Sequence, residues 1–164
     1  MKLTRLPPIT AVQSSLRAAV AAGSAAGIAR LLQFEYPIHA LMGAVLVLEL
    51  SPKRTRELAL QRLLGTLLGA VIGALLSYPL PSGPLAIGIG ILTAMLLCYT
   101  LGIPGAAKVA GYVSGIVVMQ YAAQPWLHAY RRTLETVVGI GMAVLVSFVP
   151  KLLGVKLPSD TEEK

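Results

Sequence analysis

The residues able to do chemistry are few, and most are cations set in apolar sequence. Arg17 and Arg30 interrupt an alanine-rich run, Arg62 opens a run rich in leucine and glycine, and Arg132 opens another of the same kind. A charge inside a bilayer is costly and normally faces protein or water. Two readings fit Arg62 and Arg132. They contact an anion in a passage, or they snorkel to headgroups from helix ends. Snorkelling accounts directly for Arg30 and Arg131.

The acids and histidines extend this set. Glu49 ends the run before Arg62, across a basic turn with Lys53, Arg54 and Arg56. It either neutralises Arg62 or is a buried proton acceptor used for coupling. Its counterpart in the second half of the chain is Gln120, which cannot titrate and is read, with Thr66, as polar lining. Glu135 follows Arg131 and Arg132 at the spacing of an in-helix ion pair. His39 is a residue type suited to gating by protons, or to a single structural hydrogen bond. Trp126, His128 and Tyr130 surround the last outer loop, as an interfacial aromatic belt would. There is no His/Asp/Glu cluster at ligand spacing, no phosphate-binding glycine loop, and no serine or cysteine beside a base. The expectation is no enzyme, no metal and no cofactor. The single cysteine, Cys98, lies in an apolar run and reads as packing.

The elements that position these residues follow from composition. Hydrophobic residues make up 55%, charged residues 13%, and mean hydropathy is +0.74. A soluble domain carries about 25% charged residues, so an all-α integral membrane protein is expected. The net charge of +7 lies mostly beside apolar runs, the pattern of an orientation signal rather than of nucleic-acid binding. Six helices are predicted, at about 11–33, 37–50, 58–78, 84–101, 105–121 and 129–149. They form a single membrane domain over 1–154, followed by a polar tail, 155–164. The start, MKLTRLPP, reads as a cytoplasmic tail, because proline interrupts any signal-peptide core. Lys2, Arg5, Lys53, Arg54, Arg56, Lys108, Lys151 and Lys156 fall on one side, which places both termini in the cytoplasm.

The chain also repeats. RLLGTLLG from Arg62 aligns with RTLETVVG from Arg132, keeping Thr66 with Thr136, Gly69 with Gly139 and Ser77 with Ser147 in step. One residue out of that register, MGAVLVLE (42–49) aligns with VSGIVVMQ (113–120). Each unit, about 11–80 and 84–150, holds three predicted helices. An odd number makes the second unit enter the membrane from the opposite face, so the repeat is inverted. Helices 2 and 5 correspond, and both are short for a bilayer, a pointer to a site near its midplane. Gly65, Gly69 and Gly73 form a small-residue face for helix packing, as do Gly23 with Gly27 and Gly111 with Gly115.

Residues 36–80 supply a family resemblance. Tyr36-Pro37, a Val-rich stretch ending in Glu49, a basic spacer, and then Arg62, Gly65, Thr66 and Gly69 in an Arg-x-x-Gly-Thr-x-x-Gly helix resemble the membrane module of the fusaric acid resistance / aromatic acid exporter family. The resemblance extends through the repeat-like second half. It implies efflux of organic anions, especially aromatic carboxylates, across a bacterial inner membrane by a homo-oligomer. A wider likeness to plant malate channels implies a dimer of six-helix subunits with a basic pore. On this reading Arg62 and Arg132 contact the anion, Thr66 and Gln120 line its path, and Glu49 and His39 couple or gate. Glu135 stands where the first half has Gly65, so the two halves cannot be equivalent. The alternatives are a passive anion channel, or a non-transporting partner that uses its small-residue faces to bind other helices.

Overall fold

The computed structural model describes residues 9–79, 83–120 and 124–149. Among these are six α-helices and no strand: α1 (Ile9–Leu31), α2 (Pro37–Val47), α3 (Pro52–Leu76), α4 (Pro84–Thr100), α5 (Pro104–Gln120) and α6 (Pro125–Phe148). The predicted cytoplasmic start and the polar tail lie outside the described residues.

Proline punctuates the fold. Every helix from α2 onward opens on one, where the missing N–H donor is harmless and the fixed φ suits the first turn. Proline also pushes the preceding residue to extended backbone, as at Ser51 (ψ 123°) and Gly83 (ψ 171°). This corrects three predicted boundaries. α3 begins at Pro52 rather than 58, so the basic turn is the start of a helix. α6 begins at Pro125 rather than 129, so Trp126, His128 and Tyr130 sit in its first two turns. α2 ends at Val47 rather than 50, because Leu48 is already extended ahead of Pro52. At 1.5 Å per residue α2 is about 16 Å long and α3 about 37 Å. Cations in a helix's first turns oppose its dipole. In α3 they are offset by an Arg54–Glu57 pair (3.1 Å) and by Arg56 over the Phe148 ring (4.7 Å).

α1 and α4 end in the same way. Phe34 N–H donates to Ala29 O and Gln33 N–H to Arg30 O; Ile103 N–H donates to Cys98 O and Gly102 N–H to Tyr99 O. Each pair is a Schellman cap, which needs one left-handed residue. Gly102 (φ 73°) supplies it in one helix and Gln33 (φ 54°) in the other. Both caps aim an apolar residue, Phe34 or Ile103, back at the core.

α3 packs against α5 and α6, α2 against α1 and α6, and α4 against α5. Contacts of α1 with α6 and α3 with α4 complete the bundle, with lesser ones of α2 with α3 and α5 with α6. The interior is mostly alanine, glycine and valine. The large apolar side chains point outward, as along α3 at Leu60, Leu64, Leu67, Val71 and Leu75. That distribution suits lipid, where small residues let helices approach and bulky ones meet acyl chains. Among the described residues α3 is the one helix long and apolar enough by itself to cross a membrane; α2, α4 and α5 are apolar but shorter. The polar residues that lower the apolarity of α1 and α6, including Gln13, Arg17, Arg132, Glu135 and Thr136, are buried.

Glycine sets the α3–α5 spacing. A Cβ on Gly65 would lie 2.7 Å from the Ala106 carbonyl oxygen, and one on Gly73 2.9 Å from that of Ser114. One on Gly69 would overlap the Ala110 carbonyl. Gly111 and Gly115 similarly face Met95 and Ile91 of α4. Gly23 and Gly27, read in sequence as another packing face, are exposed and meet nothing within 4 Å. The two kinds of glycine give opposite outcomes. Gly69→Ala forces α3 and α5 apart and lowers the detergent melting temperature. Gly23→Ala adds up to about 1 kcal/mol of helix propensity and leaves it unchanged or higher.

Candidate functional site

Arg62 and Arg132 do not open their helices. Arg62 lies ten residues into α3 and Arg132 seven residues into α6, about 15 and 10 Å from the respective starts. They are 4% and 5% exposed. The mid-helix residue of α5, Tyr112, stands between them. Its ring centroid is 6.0 Å from the Arg62 guanidinium carbon and 5.7 Å from that of Arg132, within cation–π range. The close α3–α5 packing brings the ring to Arg62, and α3–α6 packing brings the second arginine to the same place.

The hydrogen-bonding capacity here is unfilled. Nε and Nη2 of Arg62, Nε and Nη1 of Arg132, and the Tyr112 hydroxyl find no hydrogen-bond partner among the described residues. Neither arginine is in an ion pair among those residues; the three pairs are His39–Glu135, Arg54–Glu57 and Arg131–Glu35. A buried charge without partners is strongly unfavourable. Two of them around one phenol leave donors open to an acceptor.

A cavity of about 200 Å³ reaches this site from the end of the bundle where α5 begins. Gln61, Arg62, Lys108 and Tyr112 give it a polar wall, and Leu46 and Leu58 an apolar one. Gly105 leaves room for Gln61, whose side chain a Cβ there would strike. Beyond Tyr112, a void of only about 10 Å³ touches Arg132 from the other side. Two ties close that side. Glu135 is 2% exposed, with Oε2 2.6 Å from His39 Nδ1 and Oε1 accepting the Tyr36 N–H at 3.2 Å. Arg131 pairs with Glu35, just ahead of α2.

Arg17 is also buried, but both of its Nη groups are taken up by backbone carbonyls. Its guanidinium donates to the carbonyls of Ser147 (3.1 Å), Val149 (3.1 Å), Val146 (3.4 Å) and Leu50 (3.4 Å). It caps the end of α6, where carbonyls lack helical partners and the dipole favours a cation. Its role is architectural.

The other expected residues fall in different places. Glu49 is exposed in the α2–α3 turn and makes no ion pair with Arg62. Its backbone is clamped by Thr55, whose hydroxyl accepts from Glu49 N–H (2.9 Å) and donates to Glu49 O (3.2 Å). The buried carboxylate is instead Glu135, which reaches across to His39 rather than pairing along its own helix. Thr66 is fully buried one turn beyond Arg62, with its hydroxyl unpartnered among the described residues, and does not line the cavity. Gln120 ends α5; its side chain lies outside the described residues. Tyr112 is the site residue that sequence reasoning does not single out. Its one signal is a tyrosine in mid-helix among small residues, rather than at an end where an aromatic belt would place it.

A profile described as fusaric acid resistance protein-like matches residues 24–146. No curated protein sequence and no solved structure gives a match.

The three buried arginines separate by stability. Arg62→Leu removes a buried charge with unfilled donors and stabilises the protein by about 1–4 kcal/mol, and Arg132→Leu, which also leaves Glu135 without its neighbouring cation, stabilises it less. Arg17→Leu strands carbonyls at the end of α6 and destabilises it by about 1–3 kcal/mol per stranded group. Thermal unfolding in detergent reads all three.

Proposed function

The chain belongs to the fusaric acid resistance protein-like family, a family of membrane transport and resistance proteins, and from that premise we propose that it exports small organic anions through the Arg62–Tyr112–Arg132 site. The observation that carries the reading is the pair of buried guanidiniums with unfilled donors on either side of one tyrosine. Guanidinium is the side chain best suited to carboxylate recognition. A ring beside both cations suits an aromatic carboxylate, which can place its π-face on Tyr112 and its charge on either arginine. The cavity volume fits: an apolar void of about 150 Å³ already holds benzene.

The path is that of a carrier. The 200 Å³ cavity ends at Tyr112, while the side beyond Arg132 is held by Arg131–Glu35 and His39–Glu135. An open channel would need no such closure. Six membrane spans in two inverted three-helix repeats are the architecture we assign. The packing supports it, because exchanging α1, α2, α3 for α4, α5, α6 maps every helix contact onto another. The matching caps of α1 and α4 support it too. So does Gly69 against Ala110, which mirrors Gly139 against Ala40 in the register that relates Arg62 to Arg132. That register removes the one-residue slip between the second helices in the sequence alignment. The positive charges place both termini in the cytoplasm of a bacterial cell, with the large cavity open inward. The bulky outward face and the unpartnered glycines of α1 suit association into a homo-oligomer.

Loaded 4-hydroxybenzoate should leave proteoliposomes that hold only this protein. Arg62→Ala and Arg132→Ala should each cut that flux about 10- to 100-fold, the worth of one charge-assisted contact, while inserting normally. Undiminished flux through Arg62→Ala would remove Arg62 from the site.

A further inference from the structure

We infer that the His39–Glu135 pair is a proton-binding site linked to the anion site, so that binding an anion between Arg62 and Arg132 draws one proton onto the pair. This rests on the anion reading given above.

The inference stands on geometry and a count of charges. Glu135 lies three residues after Arg132 on α6, so the two share a helical face. It is almost fully buried, and its two oxygens are held from α2 and the link before it, by His39 Nδ1 at 2.6 Å and by Tyr36 N–H at 3.2 Å. The remaining charged or titratable groups around α6 are accounted for. Arg131 and Glu35 neutralise each other. Tyr36 and His128 also line the small void. Arg62 of α3 and Tyr112 of α5 belong to the anion site. Arg30 is exposed at the end of α1, Arg17 and Arg56 are at the opposite end of α6, and Lys108 of α5 lines the large cavity on the Arg62 side.

With a neutral imidazole and an ionised Glu135, the carboxylate offsets Arg132, and the positive charge facing an incoming anion is that of Arg62 and of Lys108 on the same cavity wall. One proton from water, taken onto the imidazole nitrogen or the carboxylate oxygen across the 2.6 Å contact, makes the pair neutral overall. Arg132 is then uncompensated, and both guanidiniums attract the anion. Anion and proton therefore favour each other's binding, as linkage requires. An anion of charge −1 and one proton load together with no net charge. When the pair loses its proton, Glu135 again offsets Arg132 and the anion is released more readily. The same pair ties α2 to α6 on the closed side of the site, so the proton sits at the place that must open for passage.

The test uses the full chain in weakly buffered detergent, with 4-hydroxybenzoate as probe, between about pH 6 and pH 8, where a carboxylic acid stays ionised. Wild type should take up about one proton per benzoate bound. Its affinity should fall as pH rises, by roughly 5- to 150-fold in all, the usual size of coupling between two sites. Glu135→Gln removes the offsetting charge and fixes affinity at the high, acid level. His39→Asn keeps a donor to the carboxylate but leaves Glu135 alone to take the proton, so the fall in affinity and the proton uptake move to lower pH. Glu135→Gln takes up no proton on binding. A merely structural pair would weaken binding in both variants and leave its pH dependence in place. If Glu135→Gln fails to fold, the shift of proton uptake to lower pH in His39→Asn decides, and an unshifted uptake overturns the inference. Wild-type benzoate binding without proton uptake, or full uptake surviving in Glu135→Gln, overturns the inference and leaves the anion site standing. Wild type that binds no benzoate at any pH overturns the anion reading itself.

Discussion

Two guanidiniums share one tyrosine in the middle of a helical bundle, and among the described residues neither is in an ion pair. Burying a charge is the most expensive thing a fold of this composition can do. Arg17 shows what the same chain does when a buried arginine serves stability: four backbone carbonyls accept from its two Nη groups. Arg62 and Arg132 are buried nearly as deeply and left with open donors. On the proposed reading, stability is lower for it, and the compensation comes when an anion arrives. On the same reading, the arginine whose Nη groups are tied to the backbone builds the protein, and the two with an open Nη group form its site.

The rest of the architecture makes that arrangement possible. The site needs three helices within reach of one ring, and the glycines of α3 let α5 come close enough. An interior of alanine, glycine and valine leaves the bulky side chains for the outside, the reverse of a soluble core. The packing of α3 against α6 brings one arginine from each half of the chain to the centre, as the proposed inverted repeat would. Its imperfection matters as much. Where α3 has Gly65, α6 has Glu135; Gly65 lets α5 approach, while Glu135 reaches out to His39. A symmetric bundle would have two packing glycines and no carboxylate beside the second arginine.

Much of this is legible in the sequence. Composition and proline spacing give six helices, and the RLLGTLLG–RTLETVVG match picks out the two arginines by spacing alone. What is not legible depends on distance across the bundle. Tyr112 has no sequence neighbour that marks it, since its meaning comes from one arginine fifty residues before it and another twenty after. Glu135 reads as paired along its own helix, because in-helix spacing is visible in a sequence and a reach to α2 is not. Glu49 reads as buried because it ends an apolar run, yet Pro52 turns the chain and leaves it in the open. Helix starts at 58 and 129 follow from treating the charges and aromatics ahead of them as loops. Pro52 and Pro125 set the true starts and draw those residues into the first turns of α3 and α6.

The most direct measurement is an experimental structure with a heavy-atom analogue, such as 4-bromobenzoate, located by its anomalous signal. The account predicts one bromine site in the cavity beside Tyr112, with the carboxylate accepting from Arg62, Arg132 or both. Bromine found only on the outer apolar surface, with both guanidiniums bonded to groups of the protein itself, would contradict it.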